Sequence, residues 1–360
     1  MNQPTLIIAE AGVNHNGDEQ LALELVRKAY IAGADIVKFQ TFKAKNIVTA
    51  EASQATYQSN NMGVVESQLT MLQRLELDFH THVKLVAECK KLGIEFLSTA
   101  FDSESLDFLV SELKLTRLKI PSGEITNLPL VLKHAQSGCD LIVSTGMATL
   151  GEIEAALEVI AFGLLNPGNQ APKEEDFAQA YASREGQCLL KSKVTLLHCT
   201  TEYPAPLDEI NLSAMSSMKS AFDLNVGYSD HSQGWVVPVA AVACGAMIIE
   251  KHFTLDKSME GPDHKASLEP NELAEMITFI RQTEQAIGSK IKAPTKSEVA
   301  NKAAARKSLV AAKDISIGTK FDESNVEVKR PGNGMPPSLY WKIMGHNASQ
   351  HYKTGQLINE

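Results

Sequence analysis

Short apolar runs alternate with longer segments of helical periodicity up to residue 287, and this alternation limits the possible folds more than any other feature. The longer segments, such as 20–32 and 271–287, carry apolar residues at i, i+3, i+4 and i+7, the spacing of one buried helix face. Strands that alternate with helices indicate βα units in a parallel sheet. The predicted strands are 6–10, 35–40, 95–99, 117–121, 140–144, 194–198, 225–228 and 247–250.

The number of predicted βα units favours a closed (β/α)₈ barrel over its alternative, an open doubly wound sheet. Eight such units within roughly 250–290 residues is the size of a barrel domain. Polar or ionisable residues end most of the apolar runs, among them Lys38, Lys119 and His198. In a barrel these ends all open on one face, whereas an open sheet gathers only the ends nearest its crossover point. The predicted fold is therefore an α/β chain with a (β/α)₈ barrel.

Composition divides the chain into a barrel over 1–287, a charged linker over 288–303 and a compact tail over 304–360. The tail has strand-like pieces at 308–311 and 326–329, but it is too short to be stable without support. We therefore expect the tail to pack against a barrel, either its own or that of a second copy.

Two segments interrupt the βα repeat. Residues 43–77 are long for a connection after a strand and are predicted to form a lid or a packing arm. Residues 166–187 are polar, contain Pro and Gly and lack a sustained apolar stripe, so they are predicted to be a surface insertion. Neither segment is expected to carry the chemistry.

Charge and composition argue against several classes of protein. The formal net charge of -9 and the pI near 5.6 argue against a nucleic-acid-binding face. No segment approaches the roughly 20 apolar residues that span a membrane, and the first residues lack a signal-peptide pattern, so the expected compartment is the cytoplasm. The cysteines include no Cys-x-x-Cys pair, and no glycine-rich nucleotide loop occurs. Neither a cysteine zinc site nor a nucleotide or organic cofactor is expected.

Two histidines at the ends of neighbouring predicted strands are the first candidates for a metal site. His231 and His252 would lie on the same rim of a barrel, where two imidazoles suit a divalent transition metal such as Mn²⁺ or Zn²⁺. Two protein ligands leave positions open for water or substrate, as Lewis-acid chemistry requires. The alternative, that each histidine only forms a hydrogen bond with the backbone, stays open on these residues alone.

Lysines and hydroxyl groups at four predicted strand ends indicate a site for a phosphorylated acid, because such a ring can surround an anion. The alternative for the lysines is an internal ion pair, Lys38 with Glu10 or Lys119 with Glu124, and the sequence leaves it open. The candidate phosphate-binding residues are Lys38, Thr99, Lys119, Ser122 and Ser144.

Three carboxylates are candidates for the same face. Glu10 and Glu124 each follow a strand beside small residues, and a carboxylate near a metal-bound water can act as a general base. Asp263 lies in the loop after the last predicted strand, where it could hold sugar hydroxyls. A structural cap or an ion pair is the open alternative for each of them.

Nine sequence motifs resemble, in the same order, those of the bacterial sialic acid (N-acetylneuraminate) synthase family. The resemblance covers almost the whole chain. No single motif is decisive, but nine in the right order exclude coincidence. The motifs are IAEAGVNHNG at 8–17, VKFQT at 37–41, KIPSGE at 119–124, STGM at 144–147, HCTTEYP at 198–204, YSDH at 228–231, EKHFTLD at 250–256, GPDH at 261–264 and KRPGNG at 329–334.

The resemblance implies a (β/α)₈ barrel followed by a small antifreeze-like (SAF) domain of the β-clip type. It also implies a domain-swapped homodimer in which the small domain covers the active site of the partner. The implied reaction is the metal-dependent condensation of phosphoenolpyruvate with N-acetylmannosamine and water, which gives N-acetylneuraminate and phosphate by C–O cleavage. Mn²⁺ is the implied metal, with Mg²⁺ as the alternative.

The resemblance also implies roles for individual residues. His231 and His252 would be the metal ligands, and Glu124 would assist the water that captures C2 of phosphoenolpyruvate. Glu10 would be a further catalytic group near the sugar, and Arg330 would reach the N-acyl group from the other subunit. Phosphoenolpyruvate would contact Lys38, Thr99, Lys119, Ser122, Ser144 and Ser229. The sugar would lie near Glu10, Thr201, Tyr203 and Asp263.

The identity of the sugar is less firmly predicted than the reaction. Thr201 stands where some members have Asn, and Thr lacks the paired donor and acceptor of an amide. A legionaminate synthase that uses 2,4-diacetamido-2,4,6-trideoxymannose is therefore the alternative. A non-catalytic binding protein is disfavoured by the intact metal, lysine and carboxylate positions. A barrel that makes keto-deoxy sugar phosphates is disfavoured because no second basic cluster is evident.

Overall fold

The computed structural model describes residues 4–168 and 171–360, and the chain divides into two compact units, Met1–Gly288 and Ser289–Glu360. Within the described part of the first unit, eight parallel strands close into a barrel in sequence order, with β8 beside β1. The predicted barrel is confirmed, and the alternative of an open doubly wound sheet is wrong. The strands are β1 (Leu6–Gly12), β2 (Ile36–Thr41), β3 (Glu95–Ala100), β4 (Arg117–Ile120), β5 (Asp140–Ser144), β6 (Val194–His198), β7 (Asn225–Asp230) and β8 (Ile248–His252).

Helices connect the strands of the barrel and pack on its outer surface. The longest of them match the segments whose periodicity predicted helices. A π-helical turn, Phe108–Glu112, precedes β4, and short 3₁₀ turns lie at Ser122–Glu124, Leu207–Glu209 and His264–Ala266. The α-helices are α1 (Glu19–Ala32), α2 (Ala44–Ile47), α3 (Thr56–Met62), α4 (Gln68–Leu75), α5 (Phe79–Leu92), α6 (Ser103–Asp107), α7 (Leu128–Gln136), α8 (Leu150–Leu165), α9 (Glu174–Ala182), α10 (Arg184–Lys193), α11 (Ala214–Phe222), α12 (Val236–Ala243) and α13 (Pro270–Ile287).

Local sequence signals set the ends of these helices. The Asp18 carboxylate accepts two backbone N–H groups at the start of α1, and Gly33 ends that helix with a left-handed φ of 88°. Thr149 and Glu152 form a capping box at the start of α8. Among the helices of the described residues, none has both the length and the apolar character that crossing a membrane requires.

The interior of the barrel is layered, with aliphatic side chains below and polar side chains above. Because side chains alternate along a strand, the residue two places after an inward one also points inward. Ile8 is thus followed by Glu10, and Ile36 by Lys38. The aliphatic layer consists of Ile8, Ile36, Leu97, Ile142, Leu197 and Ile248. The outward residues of the strands, such as Ile7, are fully buried against the helices and contribute about 1.5–3 kcal/mol each.

The two segments that interrupt the repeat are both helical. Residues 43–77 contain α2, α3 and α4, and residues 166–187 contain α9 and the start of α10. Phe177 of α9 packs edge-on against Phe162 of α8, with ring centroids 5.4 Å apart, which anchors the second segment to the barrel helices. The sequence did not predict the helices of the segment 166–187, because few residues of this segment are apolar. Residues 169 and 170 of this predicted insertion lie outside the described residues.

The second unit has a small core of its own, centred on Leu309, Phe321 and Tyr352. Strands β9 (Ser308–Ala311) and β10 (Val326–Lys329) pair antiparallel and coincide with the two strand-like pieces expected from the sequence. The segment 288–303, predicted as a linker, is partly helical. It contains most of helix α14 (Lys296–Ala305), which begins with a capping box of Thr295 and Glu298. A 3₁₀ turn at Pro337–Leu339 and helix α15 (Tyr340–Ile343) complete the unit.

Candidate active site

The carboxyl ends of the barrel strands open into a cavity of about 250 Å³. Active sites of (β/α)₈ barrels lie on this face, because the ends of all strands meet there. The cavity brings together most of the residues that the sequence singled out. These are Glu10, Lys38, Thr99, Lys119, Ser122, Ser144, Thr201, Tyr203, Ser229, His231, His252 and Asp263.

A buried network of ion pairs forms the floor of the cavity. Lys38 Nζ lies 2.9 Å from Glu10 Oε2 and 3.6 Å from Glu250 Oε2, and it donates a hydrogen bond to Thr99 Oγ1 at 3.1 Å. Lys119 Nζ lies 3.7 Å from Glu250 Oε1. The strand register explains the first contact, since Glu10 pairs with Lys38 across β1 and β2. The ion pair of Lys38 with Glu10 is therefore confirmed, and Glu250 joins both lysines.

Hydroxyl groups and one glycine complete the floor on the side of β4 and β5. Lys119 Nζ donates a hydrogen bond to Ser144 Oγ at 2.5 Å, and Gly146 N donates to Ser122 Oγ at 3.0 Å. A Cβ atom at Gly146 would lie only 2.2 Å from Thr201 Oγ1, so no larger residue fits there. The sequence thus places cations and hydroxyl donors side by side, an arrangement that suits a small anion.

Burial and neighbouring charges move the pKa values of the floor in different directions. Burial raises the pKa of Glu10 in spite of Lys38. Burial would also raise the pKa of Glu250, but the two lysines and a 2.9 Å hydrogen bond from Ser229 lower it. Burial lowers the pKa of Lys119, whereas Glu10 and Glu250 hold the pKa of Lys38 above its ordinary value in spite of burial. An anion beside Lys119 would offset the cost of burying its charge.

His231 and His252 lie beside each other at the rim, with ring centroids 5.4 Å apart. His231 Nδ1 donates a hydrogen bond to the Thr200 carbonyl oxygen at 2.6 Å, which leaves Nε2 unprotonated and able to bind a cation. Burial lowers the pKa of His231 to about 4 and holds the pKa of His252 well below its ordinary value. Both rings are therefore neutral, the form in which imidazole binds metals. His231 can therefore form a backbone hydrogen bond through Nδ1 and still bind a metal through Nε2.

The second histidine has a buried nitrogen without a partner. His252 Nδ1 makes no hydrogen bond to any described residue, and Asp263 Oδ2 lies 3.8 Å away, too far for one. An unpaired buried nitrogen costs free energy, and a bound cation or ligand near the ring would offset that cost. Among the described residues, no group of three or more His, Cys, Asp or Glu side chains is arranged to hold a metal ion. The two neighbouring neutral imidazoles fit a site with two protein ligands, completed by water or substrate.

Aromatic and polar side chains line the cavity beside the histidines. The Tyr203 ring stacks on His231 at 4.0 Å and on Tyr57 at 4.9 Å between centroids. Burial raises the pKa of Asp263 to about 6 and the pKa of Tyr203 well above its ordinary value. Thr201 Oγ1 is buried and has no hydrogen-bond partner among the described residues. This side of the cavity thus offers unsatisfied polar groups to a polar ligand.

Glu124 is not among the described residues that line the cavity. It lies in the 3₁₀ turn after β4, half-buried, and its carboxylate accepts a hydrogen bond from Asn127 Nδ2 at 2.6 Å. The alternative ion pair of Lys119 with Glu124 is wrong, because Lys119 faces Glu250 instead. The catalytic role of Glu124 stays a prediction.

Arg330 belongs to the second unit, where its Nε donates a hydrogen bond to the Ala305 carbonyl oxygen at 3.0 Å. This contact ties the turn after β10 to the end of α14. The predicted reach of Arg330 toward a sugar stays a prediction.

Glu250 and the segment 43–77 are the parts of the site that the sequence analysis missed. Its position two residues after the inward Ile248 is the sequence signal that places the Glu250 side chain inside the barrel. The segment 43–77 was expected to lie outside the chemistry, yet it supplies one wall of the cavity. It does so through Ile47, Val48, Tyr57, Gln58, Gln68, Met71, Leu72 and Leu75.

The fold and the cavity define an enzyme of the (β/α)₈-barrel class. Residues 25–292 match the model of the NeuB family, and residues 306–358 match that of the SAF domain. The chain therefore belongs to the NeuB family, the family of the sialic acid synthases. It is a phosphoenolpyruvate-using condensing enzyme with a C-terminal SAF domain, and the resemblance that its motifs carried is confirmed.

Similar proteins include two named for a legionaminic acid and one solved structure named for sialic acid. The N,N'-diacetyllegionaminic acid synthase of Campylobacter jejuni is 52% identical over 356 residues, which cover 99% of both chains. The synthase of the same name from Legionella pneumophila is 43% identical and covers 98% of this chain and 92% of its own. The crystal structure of N-acetylneuraminic acid (sialic acid) synthetase from Leptospira borgpetersenii superposes on this chain with a TM-score of 0.67 and 33% sequence identity. The match covers 83% of this chain and 90% of the synthetase chain.

Proposed function

We propose that the chain condenses phosphoenolpyruvate with 2,4-diacetamido-2,4,6-trideoxymannose and water, which gives N,N'-diacetyllegionaminate and phosphate. The observation that carries this proposal is the 52% identity, over 99% of the chain, to a protein named for that product. A bond forms between C3 of phosphoenolpyruvate and the aldehyde carbon, and the aldehyde oxygen gains a proton. Water adds to C2, and the resulting carbon expels phosphate by C–O cleavage and becomes the keto group.

The floor of the cavity would bind phosphoenolpyruvate. The ammonium groups of Lys38 and Lys119 would face its anionic groups, with hydroxyl donors from Thr99 and Ser144 beside them. Attraction between charges is strong in a buried cavity, because little water screens it. Glu250 would hold both ammonium groups in position, since it contacts each of them.

The two rim histidines would hold a divalent metal, with Mn²⁺ as the proposed ion and Mg²⁺ as the alternative. A bound cation of this kind supplies Lewis-acid polarisation of the sugar aldehyde. His231 is suited to this role because its Nδ1 is fixed by the Thr200 carbonyl, which orients the ring.

Glu124 is the proposed assistant of the attacking water, a role that rests on the resemblance of its motif. The change Glu124→Gln should lower kcat by about 10²–10⁴-fold, the usual contribution of a general base, and leave the KM for phosphoenolpyruvate nearly unchanged. An unchanged kcat would remove Glu124 from the mechanism.

We also propose that the enzyme is a domain-swapped homodimer in which Arg330 reaches the sugar bound by the partner. The change Arg330→Ala should then raise the KM for the sugar. Mixing Arg330→Ala with the inactive variant His231→Ala should restore part of the activity, because each mixed dimer keeps one intact site. Absence of complementation in a dimer shown to exchange subunits would argue against a shared site.

Steady-state phosphate release tests the reaction itself. With phosphoenolpyruvate and Mn²⁺ present, release should require the amino sugar, and mass spectrometry should detect a product that contains both carbon chains. Well-folded, metal-loaded protein that releases no phosphate with either sugar would overturn the proposal. Faster turnover of N-acetylmannosamine than of the diacetamido sugar would return the assignment to an N-acetylneuraminate synthase.

A further inference from the structure

The segment 43–77 and the residues that follow β1, β2 and β3 together build an apolar wall on one side of the cavity. Seven side chains form this wall, and in the described chain they belong to a hydrophobic cluster separate from the main barrel core. The side chains of Phe42 and Met71 are only 3% and 1% exposed to solvent, so the residues of the wall pack closely against one another. The wall consists of Val13, Phe42, Ile47, Met71, Leu72, Leu75 and Phe101, all of which line the cavity.

Helix α4 presents one amide within this apolar face. Gln68, Met71, Leu72 and Leu75 follow the spacing i, i+3, i+4 and i+7, so they share one side of the helix, and all four line the cavity. The side-chain amide of Gln68 makes no hydrogen bond to any residue that the structure describes. Gln73 lies on the opposite face of the same helix, is exposed and does not line the cavity.

This combination differs from the floor in chemistry and in position. The floor carries charges and hydroxyls at the strand ends. Of the histidines that would receive the aldehyde end of a sugar, His231 follows β7 and His252 is the last residue of β8. The wall instead follows the ends of β1, β2 and β3, beyond the floor residues Glu10, Lys38 and Thr99, and extends along the segment 43–77. A sugar with its aldehyde at the histidines would reach the wall with its other end.

An amide within an apolar surface matches an acetamido group, which consists of an amide and a methyl group. The two candidate sugars share the acetamido group at C2 and differ only at C4 and C6. The diacetamido sugar has a second acetamido group at C4 and a methyl group at C6, where N-acetylmannosamine has hydroxyls. Burial of a hydroxyl against the wall would cost free energy, and so would leaving the Gln68 amide unpaired.

We propose that the wall and Gln68 select the sugar by its C4 and C6 substituents. Gln68 pairs with the second acetamido group, and the aliphatic residues of the wall contact the acetyl and C6 methyl groups. This inference rests on the proposed function, because it assumes a diacetamido sugar as the substrate.

The test compares Gln68→Leu with the matched change Gln73→Leu on the same helix. For each enzyme, kcat/KM is measured with both sugars at saturating phosphoenolpyruvate. Gln68→Leu should lower the preference for the diacetamido sugar by about tenfold or more, since the discrimination depends on a polar partner in the pocket. Gln73→Leu should leave the preference within about twofold of the wild type, and both variants should keep the KM for phosphoenolpyruvate.

The same measurements separate the inference from the function on which it rests. A wild-type enzyme that prefers the diacetamido sugar, together with a Gln68→Leu variant that keeps the same preference, would overturn the inference and leave the proposed function standing. An equal loss on both sugars would overturn it as well. A wild-type preference for N-acetylmannosamine would overturn both. If Gln68→Leu does not fold, Gln68→Met removes the same amide with an unbranched side chain and carries the same expectations.

Discussion

The floor and the wall of the cavity are built in different ways. The floor consists of residues on rigid strands, and its charges are fixed by ion pairs such as Lys38 with Glu10 at 2.9 Å. The wall comes largely from two short helices, α2 and α4, in one connection, held to the barrel by apolar contacts. A connection can change in sequence without disturbing the strands. The comparison therefore suggests that the floor determines the reaction and the wall determines which sugar is accepted.

Loss of the rim histidines should have the largest effect on the reaction. Removal of the metal with a chelator, or the changes His231→Ala and His252→Ala, should abolish turnover of both sugars, because neither could be activated. Added Mn²⁺ should restore the chelated wild type but neither variant. Circular dichroism would show that the fold is intact, and full activity in either variant would exclude that histidine from the site.

Loss of one floor cation should have the next largest effect. Lys119→Met removes a charged donor that lies 3.7 Å from Glu250, and we expect kcat/KM to fall by about 10²–10³-fold for both sugars alike. Phosphate release measures the effect. The control is Lys191→Met, which changes a surface lysine paired with Asp223 and should leave activity unchanged. A loss confined to one sugar would show that the floor also selects the sugar.

The strand ends that carry the histidines depend on a second buried pair. Lys251 Nζ lies 2.6 Å from Asp230 Oδ2, both side chains are fully buried, and the two residues pair across β7 and β8. Lys251→Met would leave a buried carboxylate uncompensated and should lower the free energy of unfolding by about 3–5 kcal/mol. Urea denaturation measures this change. Lys191→Met should be neutral in the same experiment, and equal effects of the two changes would contradict a structural role for the buried pair.

A change in the wall should have the smallest effect on activity, and it should alter the preference between the two sugars. Ile47→Ser replaces an apolar surface with a hydroxyl, and we expect it to shift the ratio of kcat/KM by about tenfold toward N-acetylmannosamine. The matched control is Val65→Ser, since Val65 lies in the same connection and is 89% exposed. A proportional loss on both sugars would place Ile47 outside the selection of the sugar.

The barrel and most of the floor could be predicted from the sequence, because both follow the alternation of side chains along a strand. Ile8 and Glu10 show the rule, and the same rule would have found Glu250 two residues after Ile248. Within the second unit, helix α14 was missed because its charged composition resembled that of a linker.

The wall could not be predicted in the same way. Its apolar residues are spread over three strand ends and two of the short helices, and they meet only in the folded chain. Val13 and Phe101 are 88 positions apart in the sequence, so no local pattern connects them. If the choice of sugar depends on this surface, as we propose, the motifs would predict the reaction class better than the substrate.

A competition experiment tests the proposed selectivity most directly. Equal concentrations of 2,4-diacetamido-2,4,6-trideoxymannose and N-acetylmannosamine are mixed with wild-type enzyme, Mn²⁺ and limiting phosphoenolpyruvate, and the two products are separated by mass. Early in the reaction, the product ratio equals the ratio of the two kcat/KM values. N,N'-diacetyllegionaminate should exceed N-acetylneuraminate by about tenfold or more. An excess of N-acetylneuraminate would contradict both the proposed substrate and the role of the wall.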